Sequence, residues 1–296
     1  MPFKLRYQAH EALVRPARAQ NSLWRLAAGL MLAAAVSFAG SSVLYGAAAA
    51  LAPGPWLAGL SGGANPAALL LLLSGFGFIT LGVALAVRLL HGRGLLSVTG
   101  APRVLARQFR QVAAALLVLA AAMMALPPYG MGAPLQPNLP LMRWLALLPL
   151  SLAGVLVQVS AEEILARGYI QQALAARFRQ QWVWMALPAA LFALGHYLPA
   201  TAGGNAALVA LWAGVFGVLM ADLTARAGTL GPAIAVHFFN NAAALLIAAS
   251  PSSLHGLALY LVPFDMADTA AFRPWLMVDF ALMLVSWLAA RLAIRR

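Results

Sequence analysis

Apolar residues in this 296-residue chain are gathered into blocks too long for the core of a soluble domain. About 20 apolar residues cross the hydrocarbon layer as a helix, and blocks of that kind recur from end to end. Hydrophobic residues make up 63% of the chain and charged residues 9%, against about 25% charged in an ordinary soluble domain. The chain therefore reads as an all-α, polytopic membrane helix bundle. Nothing in it alternates at the period of a barrel strand. There is no cysteine, which removes disulfides, thiolate nucleophiles and thiolate metal sites from consideration.

About eight transmembrane helices are expected, near 24–51, 66–90, 109–127, 143–166, 183–199, 205–222, 229–249 and 275–293. Breaks such as Pro53-Gly54-Pro55, Pro127-Pro128 and Gly203-Gly204 separate most of them. The first is too long for the apolar region of a cleaved signal peptide and reads as a retained signal anchor. Three regions follow: 1–142, an arm and three spans with a basic connection; 143–250, a four-span core; and 251–296, an outer loop and a last span.

Orientation comes from the basic residues. Lys4, Arg6, Arg15, Arg18 and Arg25 precede or open span one, and Arg88, Arg93, Arg103, Arg107 and Arg110 join spans two and three. Arg167, Arg177 and Arg179 follow span four, Arg226 follows span six, and Arg291, Arg295 and Arg296 end the chain. Only Arg143 and Arg273 fall on the other side. The positive-inside bias then puts both termini in the cytoplasm. The net charge of +12 is an orientation signal that meets anionic headgroups, and with no recognition module beside it no nucleic-acid partner is expected. The 91–110 connection has the pattern of an interfacial amphipathic helix.

The polar residues inside the spans carry the functional question. Three glutamates occur in the whole chain, and Glu162 and Glu163 stand together in an apolar stretch. Each carboxylate at bilayer depth costs about 2.5–3.5 kcal/mol on insertion scales, so function is the default explanation. Glu163 and Arg167 are four apart, acid before base, and pair on one helical face. Glu162 is rotated about 100° from that face, free to point at a cavity. The alternative is a structural ion-pair knot that closes the fourth helix.

Span five holds Phe192 and His196, and span seven holds His237 and Asn241, each pair on one helical face. A carboxylate pair, two histidines and an amide on three helices supply a general base, a proton handler and oxyanion donors for acyl cleavage. Depth sets a condition on this grouping. His196 lies about 21 Å along its span, and His237 and Asn241 about 12 and 18 Å along theirs. Glu162 matches them only if the fourth helix runs past Arg167 to about residue 175, with Gln171 and Gln172 facing protein or water.

Glu162-Glu163-x-x-x-Arg167-Gly168, Phe192-x-x-x-His196 and His237-x-x-x-Asn241, in that order, resemble the three motifs of the CPBP (CAAX protease and bacteriocin-processing, or Abi) family, which includes the type II CAAX prenyl endopeptidases. The resemblance spans about residues 143–250. Ala166 departs from it, standing where many members carry an aromatic. The resemblance implies an intramembrane endopeptidase acting on a membrane-associated, prenylated or C-terminal substrate. It implies that Glu162 and His196 activate water, that His237 and Asn241 form the oxyanion hole, and that Glu163, Arg167 and Phe192 support them. The cofactor stays open between none and a divalent metal such as zinc on Glu162, His196 and His237, since two histidines and a glutamate are a zinc-capable set. Against zinc, no His-Glu-x-x-His helix is present. Family naming as metalloendopeptidases points the other way. The rival class is a non-catalytic membrane protein: a peptide-immunity factor, a scaffold or a proton-linked transporter using the same polar cluster.

The remaining polar residues read as ordinary. His10 and His91 are expected to be solvated, and Asp222 with Arg226 to be an interfacial pair. His255, Asp265, Asp268 and Arg273 lie in an outer loop that caps the bundle, and Asp279 sits near the outer interface. Trp24, Trp182 and Trp184 fit aromatic belts. The Ala/Leu/Arg-rich composition suggests a bacterial plasma membrane.

Overall fold

Lipid offers no partners for backbone N–H and C=O groups, so each apolar block satisfies them within a helix. A computed structural model describes residues 7–51, 59, 62–125 and 134–295. Lys4, Arg6, Pro53-Gly54-Pro55, Pro127-Pro128 and Arg296 lie outside the described residues. The long helices are α1 (Leu23–Leu51), α2 (Pro66–His91), α3 (Pro102–Ala125), α4 (Leu141–Arg177), α6 (Pro199–Ala227) and α8 (Thr269–Ala293). Among the described residues these six are long and apolar enough to cross a membrane. The shorter apolar helices α5 (Gln181–Gly195) and α7 (Gly231–Ile247) occupy the places of the other two expected spans.

Several boundaries differ from the sequence expectation. α4 continues to Arg177, well past residue 166, as the depth condition required. α5 stops at Gly195 rather than 199, so His196 caps it from outside. No separate amphipathic helix fills 91–110. A four-residue turn, Leu96–Thr99, precedes α3, and Arg103, Arg107 and Arg110 stand on α3's own first turns. Pro102 explains that early start, because proline is tolerated in the first turn, where no N–H partner is needed.

The connections sort onto two ends, as an even number of spans requires. At one end Leu230 N–H donates to Thr99 O, and Asn21 Nδ2 to Ala176 O. At the other, Leu254 N–H donates to Gly62 O, Asn138 Nδ2 to His255 O, and Asn205 Nδ2 to Met266 O. A small sheet lies there, with β3 (Tyr260–Leu261) antiparallel to β1 (Gln136–Pro137) and parallel to β2 (Ala248–Ala249). Asp268 caps α8 by accepting from Ala270 N–H and Ala271 N–H.

α7 is the central helix. Its first half, Gly231–His237, is wholly buried among α3, α4, α6 and α8. Gly217 on α6 lets α5 approach, since a Cβ there would lie 2.9 Å from Ala189. Gly168 on α4 has the same role against the Leu96–Thr99 turn, where a Cβ would meet Val98 O at 2.7 Å.

The basic end is more enclosed than the sequence suggests. Residues 8–20 form an arm of short helical turns folded against α4 and α6. Tyr7 Oη donates to Asp222 Oδ1 at 2.7 Å, Arg226 Nε donates to both Asp222 oxygens, and Trp287 Nε1 donates to Oδ2. Asp222 and Arg226 are thus a buried tie between arm, α6 and α8, not an interfacial pair. His91 is buried between Gln20 O and Tyr169 Oη, and His10 is buried against Trp184. Neither is solvated, because the arm covers both, and Trp184 is covered with them.

Burial holds the His10 imidazole neutral, its pKa pushed down to about 4 from 6.5. Its folded pKa is below its unfolded one, so its contribution is complete above pH 6.5 and is lost as pH falls toward 4. The loss is on the order of 3 kcal/mol at the acid end. Hydrogen-exchange protection of residues 8–20, corrected for the intrinsic pH dependence of amide exchange, should therefore fall between pH 6.5 and 4, and His10→Phe should remove most of that dependence.

Candidate active site

Glu162 and Glu163 end the α-helical part of α4, and Ile164–Gln171 continues it as a π-helical stretch. α7 repeats the arrangement: His237 and Asn241 precede a π stretch at Ala243–Ile247. A π turn fits one extra residue into the helix and recurs at functional sites. Here it turns the residues that follow away from the register of those before.

Glu163 is the anchor. Its side chain is 0% exposed, and Oε1 accepts from Arg167 Nη1 and from His237 Nδ1, each at 2.9 Å. Arg167 Nη2 donates to Gly217 O at 3.2 Å, and its guanidinium lies 5.0 Å from the Phe192 ring. One residue from each of α4, α5, α6 and α7 is therefore joined through a single guanidinium and carboxylate.

A carboxylate oxygen can only accept, so the contact puts a proton on His237 Nδ1 and turns Nε2 toward Glu162. Nε2 lies 3.4 Å from Glu162 Oε2. That oxygen is buried and has no hydrogen-bond partner among the described residues. The two adjacent glutamates thus meet opposite nitrogens of one ring.

Asn241 joins the same helix pair one turn away. Its Nδ2 donates to Gln158 Oε1 at 2.8 Å, and its Oδ1 accepts from Asn240 Nδ2 at 3.3 Å. Gln158 precedes Glu162 by four residues, as His237 precedes Asn241 by four. α4 and α7 therefore meet through two rungs, Gln158 with Asn241 and Glu162 with His237.

His196 stands apart from this cluster. As C-cap of α5 it holds Nδ1 2.8 Å from Phe192 O, with its ring 4.3 Å from the Phe192 ring. It is not within ion-pair distance of either glutamate. Phe192 bridges the gap, edge-on to His237 at 6.1 Å. Phe216 supports His237 from α6 at 4.9 Å.

The sequence reading did not include Gln158, Phe216 or Gly217. Gln158 was readable as the polar residue one turn before Glu162. A phenylalanine and a backbone carbonyl on another helix carry no such mark.

The set that would hold zinc, if zinc is bound, was Glu162, His196 and His237. Among the described residues no three His, Asp or Glu side chains gather around a metal-sized point. His237 is engaged by carboxylates at both nitrogens, and His196 lies beyond their reach. The set as arranged does not fit zinc, and no step is derived through a metal.

Residues 143–243 match the family model for type II CAAX prenyl endopeptidase Rce1-like proteins. Over this stretch the chain is similar to CAAX-type membrane proteases. The Rce1-like match begins within α4 and ends just after Asn241, so it encloses every residue of the cluster. No curated protein and no solved structure gives a match.

Removing one member of a buried charge pair leaves the other uncompensated, at about 3–5 kcal/mol. Glu163→Gln should cost that much in thermal or denaturant unfolding in detergent. Gln158→Leu, which leaves the charges intact, should cost about 1–3 kcal/mol.

Proposed function

We propose that this chain is an intramembrane endopeptidase that hydrolyses a peptide bond near the C-terminus of a membrane-associated substrate, with Glu162 as its base. One observation carries the reading. Glu163 is 0% exposed and its Oε1 takes both Arg167 and His237, whereas Glu162 is 17% exposed and its Oε2, beside His237 Nε2, accepts no hydrogen bond from a described residue.

In this reading a water bound to Glu162 gives up a proton to it while the water oxygen adds to the scissile carbonyl carbon. The carbonyl oxygen becomes an oxyanion between His237 Nε2 and Asn241 Nδ2, one helical turn apart. That donation takes a His237 ring carrying both protons, the state that balances the charge of Glu162. Collapse breaks the C–N bond, and the leaving amine takes the proton held by Glu162, directly or relayed through His196. Backbone anchorage of His196 Nδ1 leaves its Nε2 for that transfer. Phe192 and Arg167 position the parts.

The core is assigned to residues 143–250, with 1–142 and 251–296 as the frame around it. The substrate is a peptide or protein held in the bilayer by a prenyl group or another anchor. The location is a bacterial plasma membrane with both termini cytoplasmic. What supports that orientation is the clustering of the basic connections at one end of the bundle.

Glu162→Gln, His196→Ala and His237→Ala should each lower cleavage of a lipidated test peptide by about 10²–10⁴-fold while the protein still folds. Cleavage retained in all three would sink the protease reading, and a cellular phenotype that survives loss of cleavage would favour a non-catalytic role. Cleavage lost on thorough chelation would replace the base reading with a metal. Reporters fused to either end should be active only in the cytoplasm.

A further inference from the structure

A second site lies at the basic end, away from the glutamates. The arm, the end of α4 and the start of α5 enclose a groove of about 390 Å³. Arg18, Arg177 and Arg179 line it, with Glu11 as the one acid. Glu11 is already paired with Arg18 at 2.7 Å. Arg177 and Arg179 are exposed and make no ion pair among the described residues, so the groove holds two uncompensated guanidinium groups.

Two further features point to a ligand rather than to a solvated basic rim. His10 lines the groove, is buried, and its Nε2 has no hydrogen-bond partner among the described residues. A buried donor or acceptor left unmade costs about 1–3 kcal/mol, so such atoms in a folded protein ordinarily have a use. The wall beside it is the Trp184 indole, whose ring lies 4.9 Å from that of His10 and tilted 43° to it. Cations, a polar nitrogen and an aromatic face together suit an amphiphile with a phosphate.

We propose that this groove binds the headgroup of an anionic phospholipid, its phosphate taken by Arg177 and Arg179 and a headgroup oxygen facing His10. A guanidinium offers paired donors to phosphate oxygens, and its charge is weakly hydrated, so it gives up water readily on binding. The position favours a lipid over a free anion. α4 and α5 meet the groove at their ends, where the headgroups of the surrounding leaflet lie. Because the arm forms one wall, a lipid seated here would also hold residues 8–20 against α4.

The test uses the full chain in nanodiscs and reads lipid binding, so it stands whether or not the protease reading holds. Phosphatidylglycerol added to phosphatidylcholine discs should appear as a bound lipid by native mass spectrometry. Arg177→Gln with Arg179→Gln should weaken it about thirtyfold, about fivefold for each charge removed. Both side chains are exposed, so that variant should fold, as its unfolding temperature in phosphatidylcholine would verify. His10→Phe keeps an aromatic ring against Trp184 and should weaken binding severalfold. Equal binding of phosphatidylcholine, or unchanged phosphatidylglycerol binding in the double variant, would overturn the proposal. Displacement by inorganic phosphate as potent as that by soluble glycerophosphoglycerol would overturn the lipid assignment.

Discussion

The carboxylate of Glu163 is the point on which the packing of α4 to α7 depends. It is completely enclosed, and its Oε1 receives both Arg167 and His237. A charge in such a place is tolerable only when paired and hydrogen-bonded. Meeting that demand ties α4 to α7 directly, and to α5 and α6 through Phe192 and Gly217 O. In a bilayer, where burial of apolar surface does little to hold helices together, such polar contacts and close backbone approach carry the association. Gly217 serves both, admitting Ala189 from α5 and presenting its carbonyl to Arg167.

The same constraint separates the two glutamates. Since Glu163 consumes Nδ1 of His237, the other face of the ring is left for Glu162, which no second partner saturates. Buried, polar and only partly satisfied groups are costly, and proteins keep them at sites that do chemistry. The π stretches contribute too, because one begins directly after Glu163 and the other begins two residues after Asn241. In α4 this lets the helix present one face to the site and a different one to the basic end, where Gln172 reaches Leu13 O and Ser97 O.

The arm gives the opposite end its own polar anchor. Asp222 collects Tyr7, Arg226 and Trp287 much as Glu163 collects Arg167 and His237. Between them the two carboxylates pin α6 against its neighbours at separate depths. The groove beside the arm follows from this closure, since residues 8–20 supply one of its walls.

The sequence alone determined the class of fold, the set of apolar helices and the residues worth watching, because lipid solvation acts on local composition and the motifs lie on single helices. It also required α4 to run past Arg167 to about residue 175, since a depth mismatch is a matter of helical rise. It did not reveal that His237, rather than His196, is the nitrogen nearest Glu162. Nor did it reveal Gln158 opposite Asn241, or the burial of His10 and His91. Those depend on which helices touch, on where α5 ends and on how π turns shift the register. Hydropathy and spacing describe one helix at a time. Contacts between helices were decided by packing around Glu163 and Asp222.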